Sequence, residues 1–270
     1  MSSTMRSFIL AFCLSSLTLI AGLLAAEAAT CRDPGGFGAF IASMKKEAAA
    51  QGISASAINA LDDVSYDPNI ISRDHGQGVF DQSFEQFSGR MVSPSRLHKG
   101  ALLLKQYASI LSRIEETYGV PGPVLVAIWG LETDFGAVNG NTPTLQALAT
   151  LAFDCRRTEK FQAELLDALR LIERGDLTPS AMRGAWAGEL GQTQFMPSSY
   201  LKFAVGGRNL IRSAPDVLAS TANYLHEYGW QRGAGWEPGQ PNFAVIQQWN
   251  KADVYSRTIA LFATKLAVTN

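Results

Sequence analysis

One glutamate follows an unusually apolar run, in a position that suits acid–base chemistry. Residues Val124 to Leu131 are all apolar or glycine, and Glu132 comes directly after them. If the run is a buried helix, burial and the negative helix C-terminus both raise the pKa of Glu132. A carboxylic acid that is protonated near neutral pH can protonate the leaving oxygen of a glycosidic bond. A glutamate that meets solvent at a helix end is the alternative, which this run alone does not exclude.

A second segment, Gly191 to Ser198, combines amides with apolar side chains. Gln192 and Gln194 can bind sugar hydroxyl and acetamido groups, and Phe195 and Met196 offer apolar contact to sugar faces. A helix-connecting turn that ends at a proline is the alternative interpretation. Further aromatic residues in the same half, many of which must belong to the core, are Trp186, Tyr200, Tyr224, Tyr228, Trp230, Trp236 and Trp249.

Several other kinds of chemistry are disfavoured. The three histidines, His75, His98 and His226, are far apart and lack the paired spacing of zinc ligands. The sequence contains no nucleophile elbow, P-loop or dinucleotide-binding glycine motif. The formal net charge of −1 argues against a nucleic-acid-binding protein, which would carry a strong basic excess.

The elements that must position these residues are predicted to be helical. The run from Pro121 to Asp134 is apolar on nearly every side, which is typical of a buried central helix. A long helix is predicted from Ser93 to about Tyr118, and a loop from Asp67 to Val79. Other predicted helices are Phe37 to Ala50, Ser54 to Leu61, Thr158 to Glu173, a helix capped at Ser213, and Ala252 to Ala267. No strand pattern competes, so the sequence predicts an all-α fold.

The N-terminus resembles a cleavable export signal. An apolar run from Phe8 to Ala26 follows Arg6 and ends in a small-x-small pattern, Ala26-Glu27-Ala28. We therefore expect residues 1–28 to be a signal peptide and residues 29–270 to be one mature domain in the periplasm. An uncleaved membrane anchor is the alternative, since the run is nearly long enough to span a bilayer.

The cysteine content agrees with export. Cys13 lies in the predicted signal, so Cys31 and Cys155 remain in the mature chain. In an oxidising compartment two cysteines can form one disulfide, which would tie the mature N-terminus to the middle of the domain. Two unpaired buried thiols are the alternative.

Three motifs together make the sequence recognisable. The runs Pro121 to Gly136 and Gly184 to Tyr200, followed by Ala222-Asn223-Tyr224, resemble the lytic murein transglycosylase B family. The similarity continues through Trp249-Asn250 and Tyr255, and so covers essentially the whole mature chain. The resemblance implies a lysozyme-like, mainly helical core with an additional helical lobe.

The resemblance also implies roles for individual residues. Glu132 is implied to be the catalytic acid/base. The implied substrate-binding residues are Gln194, Phe195, Met196, Tyr224, Asn250 and Tyr255. Arg156 and Arg157 match a basic pair that would meet the peptide stem or a carboxylate of the polymer; an exposed helix N-terminus is the alternative for that pair.

Two departures from the family pattern affect these expectations. Some relatives carry an acidic calcium-binding loop after the Tyr200 region, but Phe203 to Leu210 contains no aspartate or glutamate here. Calcium requires several carboxylate oxygens, so we predict no metal and no other cofactor. Trp249 stands where relatives can have tyrosine; its ring can still stack, but the phenol hydrogen bond would be lost or replaced by one from the indole N–H.

The expected reaction is non-hydrolytic cleavage of the β-1,4 bond between N-acetylmuramic acid and N-acetylglucosamine, leaving 1,6-anhydro ends. Glu132 would act as acid and then as base, and lytic transglycosylases need only that carboxylate. Asp134 and Glu189 are the candidates for a second carboxylate, which a hydrolytic muramidase would use. A non-catalytic peptidoglycan-binding scaffold is the other alternative. The expected partners are peptidoglycan strands and cell-wall remodelling proteins, and nothing in the sequence indicates an obligate dimer.

Overall fold

The computed structural model describes residues 29–76 and 82–268, and this part of the chain is mainly helical. The predicted signal peptide lies outside the described residues. The helices are α1 Gly36–Ala50, α2 Ala55–Ile58, α3 Pro68–His75, α4 Phe84–Met91, α5 Pro94–Gln106, α6 Ala108–Tyr118, α7 Gly122–Thr133, α8 Thr144–Phe153, α9 Thr158–Glu173, α10 Pro197–Phe203, α11 Ala214–Glu227, α12 Phe243–Trp249 and α13 Asp253–Val268. The all-α prediction is confirmed, and no helix among the described residues is long and apolar enough to cross a membrane.

Helix α7 is the centre of the fold, as its apolar composition predicts. It packs against α5, α6, α11 and α13, and ten of its twelve residues are buried. Because it is surrounded on all sides, it has no polar face except at its C-terminal end. There Asp134 and Phe135 both adopt left-handed backbone conformations, with φ of 52° and 60°. The helix therefore stops abruptly and leaves Glu132 in its last turn.

The prediction of one long helix from Ser93 to Tyr118 is wrong. The chain forms α5 and α6 with a break at Tyr107, whose φ and ψ are −101° and 14°. Both helices pack on the start of α7, where Leu104 and Leu111 approach Gly122 from either side of the break. The bend lets both segments bury their apolar faces on one partner. No proline or glycine marks the break, so local sequence could not predict it.

The predicted loop from Asp67 to Val79 is also wrong in its first part. Pro68 to His75 form helix α3, because the Asp67 carboxylate accepts a hydrogen bond from the backbone N–H of Asn69 and caps the helix. Pro68 then stands at the first helical position, where its missing N–H has no cost. Residues 77–81 lie outside the described part of the chain.

Two short strands interrupt the helical pattern beside the catalytic candidate. Strand β1 (Thr142–Pro143) pairs antiparallel with β2 (Arg183–Gly184). Isolated bridges continue the pairing from Gly184 to Leu190 and from Leu190 to Phe195. The polar segment that follows Leu190 is therefore a tight turn at the edge of a small sheet.

The predicted disulfide is present between Cys31 and Cys155. It joins the segment before α1 to the loop between α8 and α9. Nearby, the backbone N–H of Arg32 donates to the carbonyl of Phe153 at 2.9 Å, and the guanidinium of Arg32 pairs with Asp154. The segment before α1 is thereby attached to the loop that carries Arg156 and Arg157.

Candidate active site

A cleft of about 690 Å³ opens at the C-terminal end of α7. It is bounded by the start of α9, the turn after Leu190, α10, α11 and the junction between α12 and α13. The residues that line it are Glu132, Arg157, Lys160, Ala185, Glu189, Thr193, Gln194, Phe195, Met196, Ser199, Tyr224, Gln248, Trp249, Asn250 and Lys251. Most of the residues singled out from the sequence therefore lie in one place.

Glu132 is partly buried at the base of this cleft. The indole N–H of Trp249 donates to its Oε1 at 2.9 Å, and the Tyr255 hydroxyl is a second hydrogen-bond partner. Burial raises the pKa of Glu132 to about 7; the two hydrogen bonds oppose this rise, and the charge of Glu189 adds to it. A carboxyl group with such a pKa can both give and take a proton near neutral pH.

Tyr255 lies beside the catalytic candidate. It is 8% exposed, is not among the residues that line the cleft, and packs against Phe87 at 5.9 Å between ring centroids. Burial, with the charge of Glu132, raises the pKa of its hydroxyl, so that the phenol remains a proton donor to the Glu132 carboxyl. The expected contact of Tyr255 with a sugar stays a prediction.

Gln194 lines the cleft from the tight turn, where its φ is 57°. Its side-chain Nε2 donates to the carbonyl of Gly191 at 2.7 Å and to that of Asn139 at 3.3 Å. A left-handed conformation is uncommon outside glycine and costs on the order of 1 kcal/mol or more, which the turn must offset. With the amide nitrogen bound in this way, the amide oxygen is the group that can accept a hydrogen bond from a sugar hydroxyl.

Gln192 contributes to the architecture of the site rather than to its surface. Its Oε1 accepts from the Trp129 indole at 2.9 Å, and its Nε2 donates to the carbonyl of Ile211 at 3.1 Å. The Thr133 hydroxyl donates to the backbone carbonyl of Gln192. A Cβ on Gly136 would lie 2.3 Å from the Gln192 side chain, so this contact requires glycine there. The turn and the end of α7 are thus joined beside Glu132, which the sequence could not reveal.

Three rings form the aromatic wall of the cleft. The centroids of Phe195 and Trp249 are 5.4 Å apart, and those of Tyr224 and Trp249 are 4.9 Å apart. The Tyr224 hydroxyl donates to the carbonyl of Gln248 at 2.8 Å, which connects α11 to the end of α12. Met196 lies next to these rings in the cleft lining. The wall offers apolar surface to the faces of sugars, and its shape keeps Trp249 over Glu132.

The two arginines of the basic pair share one partner and one cavity. Both line a cavity beside the disulfide, and Arg157 also lines the cleft. Both pair with the buried carboxylate of Asp74 on α3, to which Arg156 Nε donates at 2.7 Å. The expected contact of this pair with the peptide stem or a carboxylate of the polymer stays a prediction.

Asn250 lines the cleft and also shapes the chain there. Its Oδ1 accepts from the backbone N–H of Ala252 at 3.0 Å, so it organises the turn into α13. Lys160, Ser199, Gln248 and Lys251 also line the cleft but were not identified from the sequence. They stand on the outer surface of ordinary amphipathic elements, where no sequence pattern distinguishes them.

The two candidates for a second carboxylate differ in position. Asp134 accepts from Arg96 Nε at 3.2 Å, and Lys99 donates to its backbone carbonyl, away from the cleft. Glu189 lines the cleft, and its Oε2 accepts from the backbone N–H of Ala187 at 3.2 Å. Burial raises the pKa of Glu189, while backbone N–H groups and the cations Lys160 and Arg157 oppose this rise.

Within the described ranges, one cluster has a geometry that could hold a metal ion: Asp74, His75 and Asp154. Its carboxylates already pair with the guanidinium groups of Arg32, Arg156 and Arg157, so they are neutralised by protein cations. In the loop before α11, the backbone N–H groups of Gly207 and Asn209 donate to Asp216. That loop presents N–H donors, which do not suit a cation.

Comparison with known proteins agrees with this site. Residues 36–239 match the family described as transglycosylase SLT domain. Membrane-bound lytic murein transglycosylase B of Escherichia coli (strain K12) is 36% identical over 169 residues, which are 58% of this chain and 47% of that protein. The chain thus spans about half the length of this curated relative.

Solved structures are similar over most of the chain. SltB3 from Pseudomonas aeruginosa, in complex with NAG-NAM-pentapeptide, has a TM-score of 0.81 and 29% identity, covering 86% of this chain and 79% of SltB3. The Escherichia coli lytic transglycosylase Slt35, in complex with bulgecin A, has a TM-score of 0.73 and 26% identity, covering 86% of this chain and 93% of Slt35. These matches confirm the expected lysozyme-like, mainly helical fold. Since the family match covers most of the chain, this protein belongs to the transglycosylase SLT domain family.

Proposed function

We propose that this protein is a peptidoglycan lytic transglycosylase. It cleaves the β-1,4 bond between N-acetylmuramic acid and N-acetylglucosamine and leaves 1,6-anhydro-N-acetylmuramic acid ends. The observation that carries the proposal is the environment of Glu132, which lies at the base of a sugar-sized cleft with a pKa raised to about 7. Its membership of the transglycosylase SLT domain family supports the same reaction.

In the first step, the protonated Glu132 gives its proton to the glycosidic oxygen. The bond to C1 of the muramic residue then breaks, and positive charge develops at C1. The carboxylate that remains on Glu132 is stabilised by the Trp249 indole N–H and the Tyr255 hydroxyl. Hydrogen bonds to a charged group are each worth about 1.5–3 kcal/mol, so these two donors lower the cost of ionising a partly buried acid.

In the second step, Glu132 acts as base. It takes the proton of the muramic C6 hydroxyl, whose oxygen attacks C1 and closes the anhydro ring. No water is consumed, and the carboxyl returns to its protonated state. Intramolecular attack has effective molarities of up to ~10⁵–10⁸ M in favourable geometry, so a second carboxylate is not needed. A single group with a pKa near the working pH can serve in both directions.

The remaining lining residues hold the glycan strand. Gln194 accepts a hydrogen bond from a sugar hydroxyl through its amide oxygen, and Asn250 contacts the strand near the start of α13. Phe195, Met196 and Tyr224 contact the apolar faces of the sugars. Arg157, with Lys160, binds a carboxylate of the peptide stem. The SltB3 crystal structure contains NAG-NAM-pentapeptide, which supports a substrate with a stem.

We further propose that the protein acts in the periplasm. Residues 1–28 are a cleavable signal peptide, and residues 29–270 form the mature catalytic domain. The disulfide between Cys31 and Cys155 supports an oxidising compartment. The protein acts on peptidoglycan strands as a monomer, without a cofactor, beside other proteins that remodel the wall.

The test is mass spectrometry of the fragments that the mature chain releases from purified peptidoglycan. We expect muropeptides that end in 1,6-anhydro-muramic acid, lighter by one water than reducing ends, and no such fragments from the Glu132→Gln protein. Reducing ends from the native protein would indicate a hydrolytic muramidase and would direct attention to Glu189. Binding without any cleavage would indicate a scaffold. Cleavage by Glu132→Gln at the native rate would rule out the mechanism.

A further inference from the structure

A row of aromatic rings continues from the cleft to the surface of the protein. Tyr224, which lines the cleft, packs against Tyr228 with 4.6 Å between ring centroids and 36° between the planes. Phe203 lies beneath both rings, at 4.8 Å from Tyr224 and 5.7 Å from Tyr228. Tyr228 itself does not line the cleft. The aromatic wall therefore has an outer member whose position nothing in the proposed reaction explains.

The spacing along two helices shows the direction of this row. Tyr228 is the residue that caps the C-terminal end of α11 and follows Tyr224 by four residues, which places it one turn further along the same face. On α10, Lys202 follows the cleft residue Ser199 by three residues, again one turn further on. The Lys202 ammonium lies 4.8 Å from the Phe203 ring centroid and 6.0 Å from that of Tyr228. Tyr228 and Lys202 thus meet at the outer end of the groove between the two helices.

The chemistry of this outer end suits a sugar. Tyr228 is 42% exposed. Three neighbouring side chains, which are aromatic or cationic, hold its ring in place. A rigid, half-exposed ring loses little conformational entropy when an apolar face packs on it. Lys202 can donate hydrogen bonds to hydroxyl or acetamido oxygens beside that ring. A hexosamine unit has both surfaces, an apolar face of C–H groups and a polar edge.

We propose that Tyr228 and Lys202 form an additional sugar-binding subsite, which holds an N-acetylhexosamine unit of the glycan strand outside the catalytic cleft. The occupant is the continuation of the strand already bound by Tyr224 and Trp249, because the ring row is continuous with the wall of the cleft. This inference rests on the proposed function, since it assumes a glycan substrate. Its consequence is a preference for longer strands.

The test measures binding of stem-free glycan strands, from disaccharide to octasaccharide, to the Glu132→Gln protein by calorimetry. Affinity is expected to rise with strand length. Adding Tyr228→Ala is expected to weaken binding of the longest strands about 3- to 10-fold, the range that one aromatic contact supplies. Binding of the disaccharide should change less than about twofold, because that ligand fits within the cleft. Tyr228→Trp is expected to restore the affinity for long strands.

Tyr66 provides a matched control. It is also 42% exposed and also packs against two phenylalanines, Phe37 and Phe153, but it does not line the cleft. Tyr66→Ala should leave the length dependence unchanged. The proposal is overturned if Tyr228→Ala behaves like Tyr66→Ala, or if it weakens the disaccharide as much as the octasaccharide. Failure of Glu132→Gln to bind strands of any length would overturn the proposed function and this subsite together; normal binding with no effect of Tyr228→Ala would overturn the subsite alone.

Discussion

Glu132 and Glu189 line the same cleft, but the regions that carry them give their carboxyl groups different surroundings. Glu132, at the end of α7, receives uncharged side-chain donors from Trp249 and Tyr255, which belong to distant parts of the chain. Glu189 accepts from the backbone N–H of Ala187 in its own turn and lies near the cations Lys160 and Arg157. Uncharged donors allow a carboxyl group to change protonation state at moderate cost. Burial raises the pKa of both carboxyl groups, but at Glu189 the backbone N–H groups and the cations oppose this rise, and we therefore propose Glu132 for the proton transfers.

The largest expected effect is on catalysis. Glu132→Gln should lower the rate of anhydro-product release by about 10²–10⁴-fold or more, because it removes the proton donor and acceptor. Glu189→Gln should lower the rate less than about tenfold, since the reaction does not use its proton. The rates are measured by chromatography of released muropeptides. Equal losses in the two variants would break the comparison and indicate two catalytic carboxylates.

The second effect of Glu132→Gln is on stability, which should rise although activity falls. Burial raises the pKa of Glu132 in the folded state to about 7 from its ordinary value of 4.5. The folded protein therefore binds this proton more tightly, and its stability falls as pH rises from about 4.5 to about 7. Because glutamine does not ionise, Glu132→Gln does not lose stability over this pH range. It should be more stable than the native protein by up to about 3 kcal/mol at neutral pH. Urea unfolding at a series of pH values measures the difference in stability between the two proteins. This difference should be small below pH 4.5, which is about the pKa of Glu132 in the unfolded chain. A difference in stability that is independent of pH would contradict the burial of Glu132.

The third effect concerns the indole N–H of Trp249. Trp249→Phe keeps an aromatic ring against Phe195 and Tyr224 but removes the donor to Glu132. The pKa of Glu132 should then rise above 7, and the alkaline limb of the pH–rate profile should move up by about one pH unit. Trp236→Phe is the control, because its N–H donates to Thr264 away from the cleft. An alkaline limb that stays in place would show that Trp249 does not stabilise the carboxylate.

The smallest effect is the electrostatic influence of one carboxylate on the other. The charge of Glu189 raises the pKa of Glu132, so Glu189→Gln should lower it. We expect a downward shift of the alkaline limb by a few tenths of a pH unit, because this contribution is the smallest of the four that act on Glu132. The pH–rate profile measures it, and 0.5 M salt should reduce the shift by screening, at roughly a 4–5 Å Debye length. An unchanged limb would mean that Glu189 is neutral, and an upward shift would mean that it donates a hydrogen bond to Glu132.

Prediction from sequence succeeded where the signal was local. The apolar run before Glu132 identified α7, and the Ser213 capping pattern identified the start of α11, where the Ser213 hydroxyl accepts from Asp216. It failed at Tyr107, where two helix segments bend around a shared partner, and at Pro68, where a proline begins a helix instead of breaking one. At Tyr107 the contacts with α7 decide the bend, and at Pro68 the cap by Asp67 decides where the helix begins. Hydrophobic periodicity shows neither.

By itself the sequence determined the all-α core and the stretch that forms the turn around Gln194, and it singled out Glu132 as the candidate acid, because these depend on hydrophobic periodicity and on motifs within a few residues. Only the tertiary structure decided which groups act on that acid. Trp249 is 117 positions from Glu132, and Tyr255 contacts it from behind rather than from the cleft. It also decided that Arg156 and Arg157 both bind Asp74 on α3 and that Arg157 in addition lines the cleft. Burial and hydrogen-bond geometry are set by packing between elements distant in the chain, and they determine both the pKa of the acid and the surface offered to the glycan.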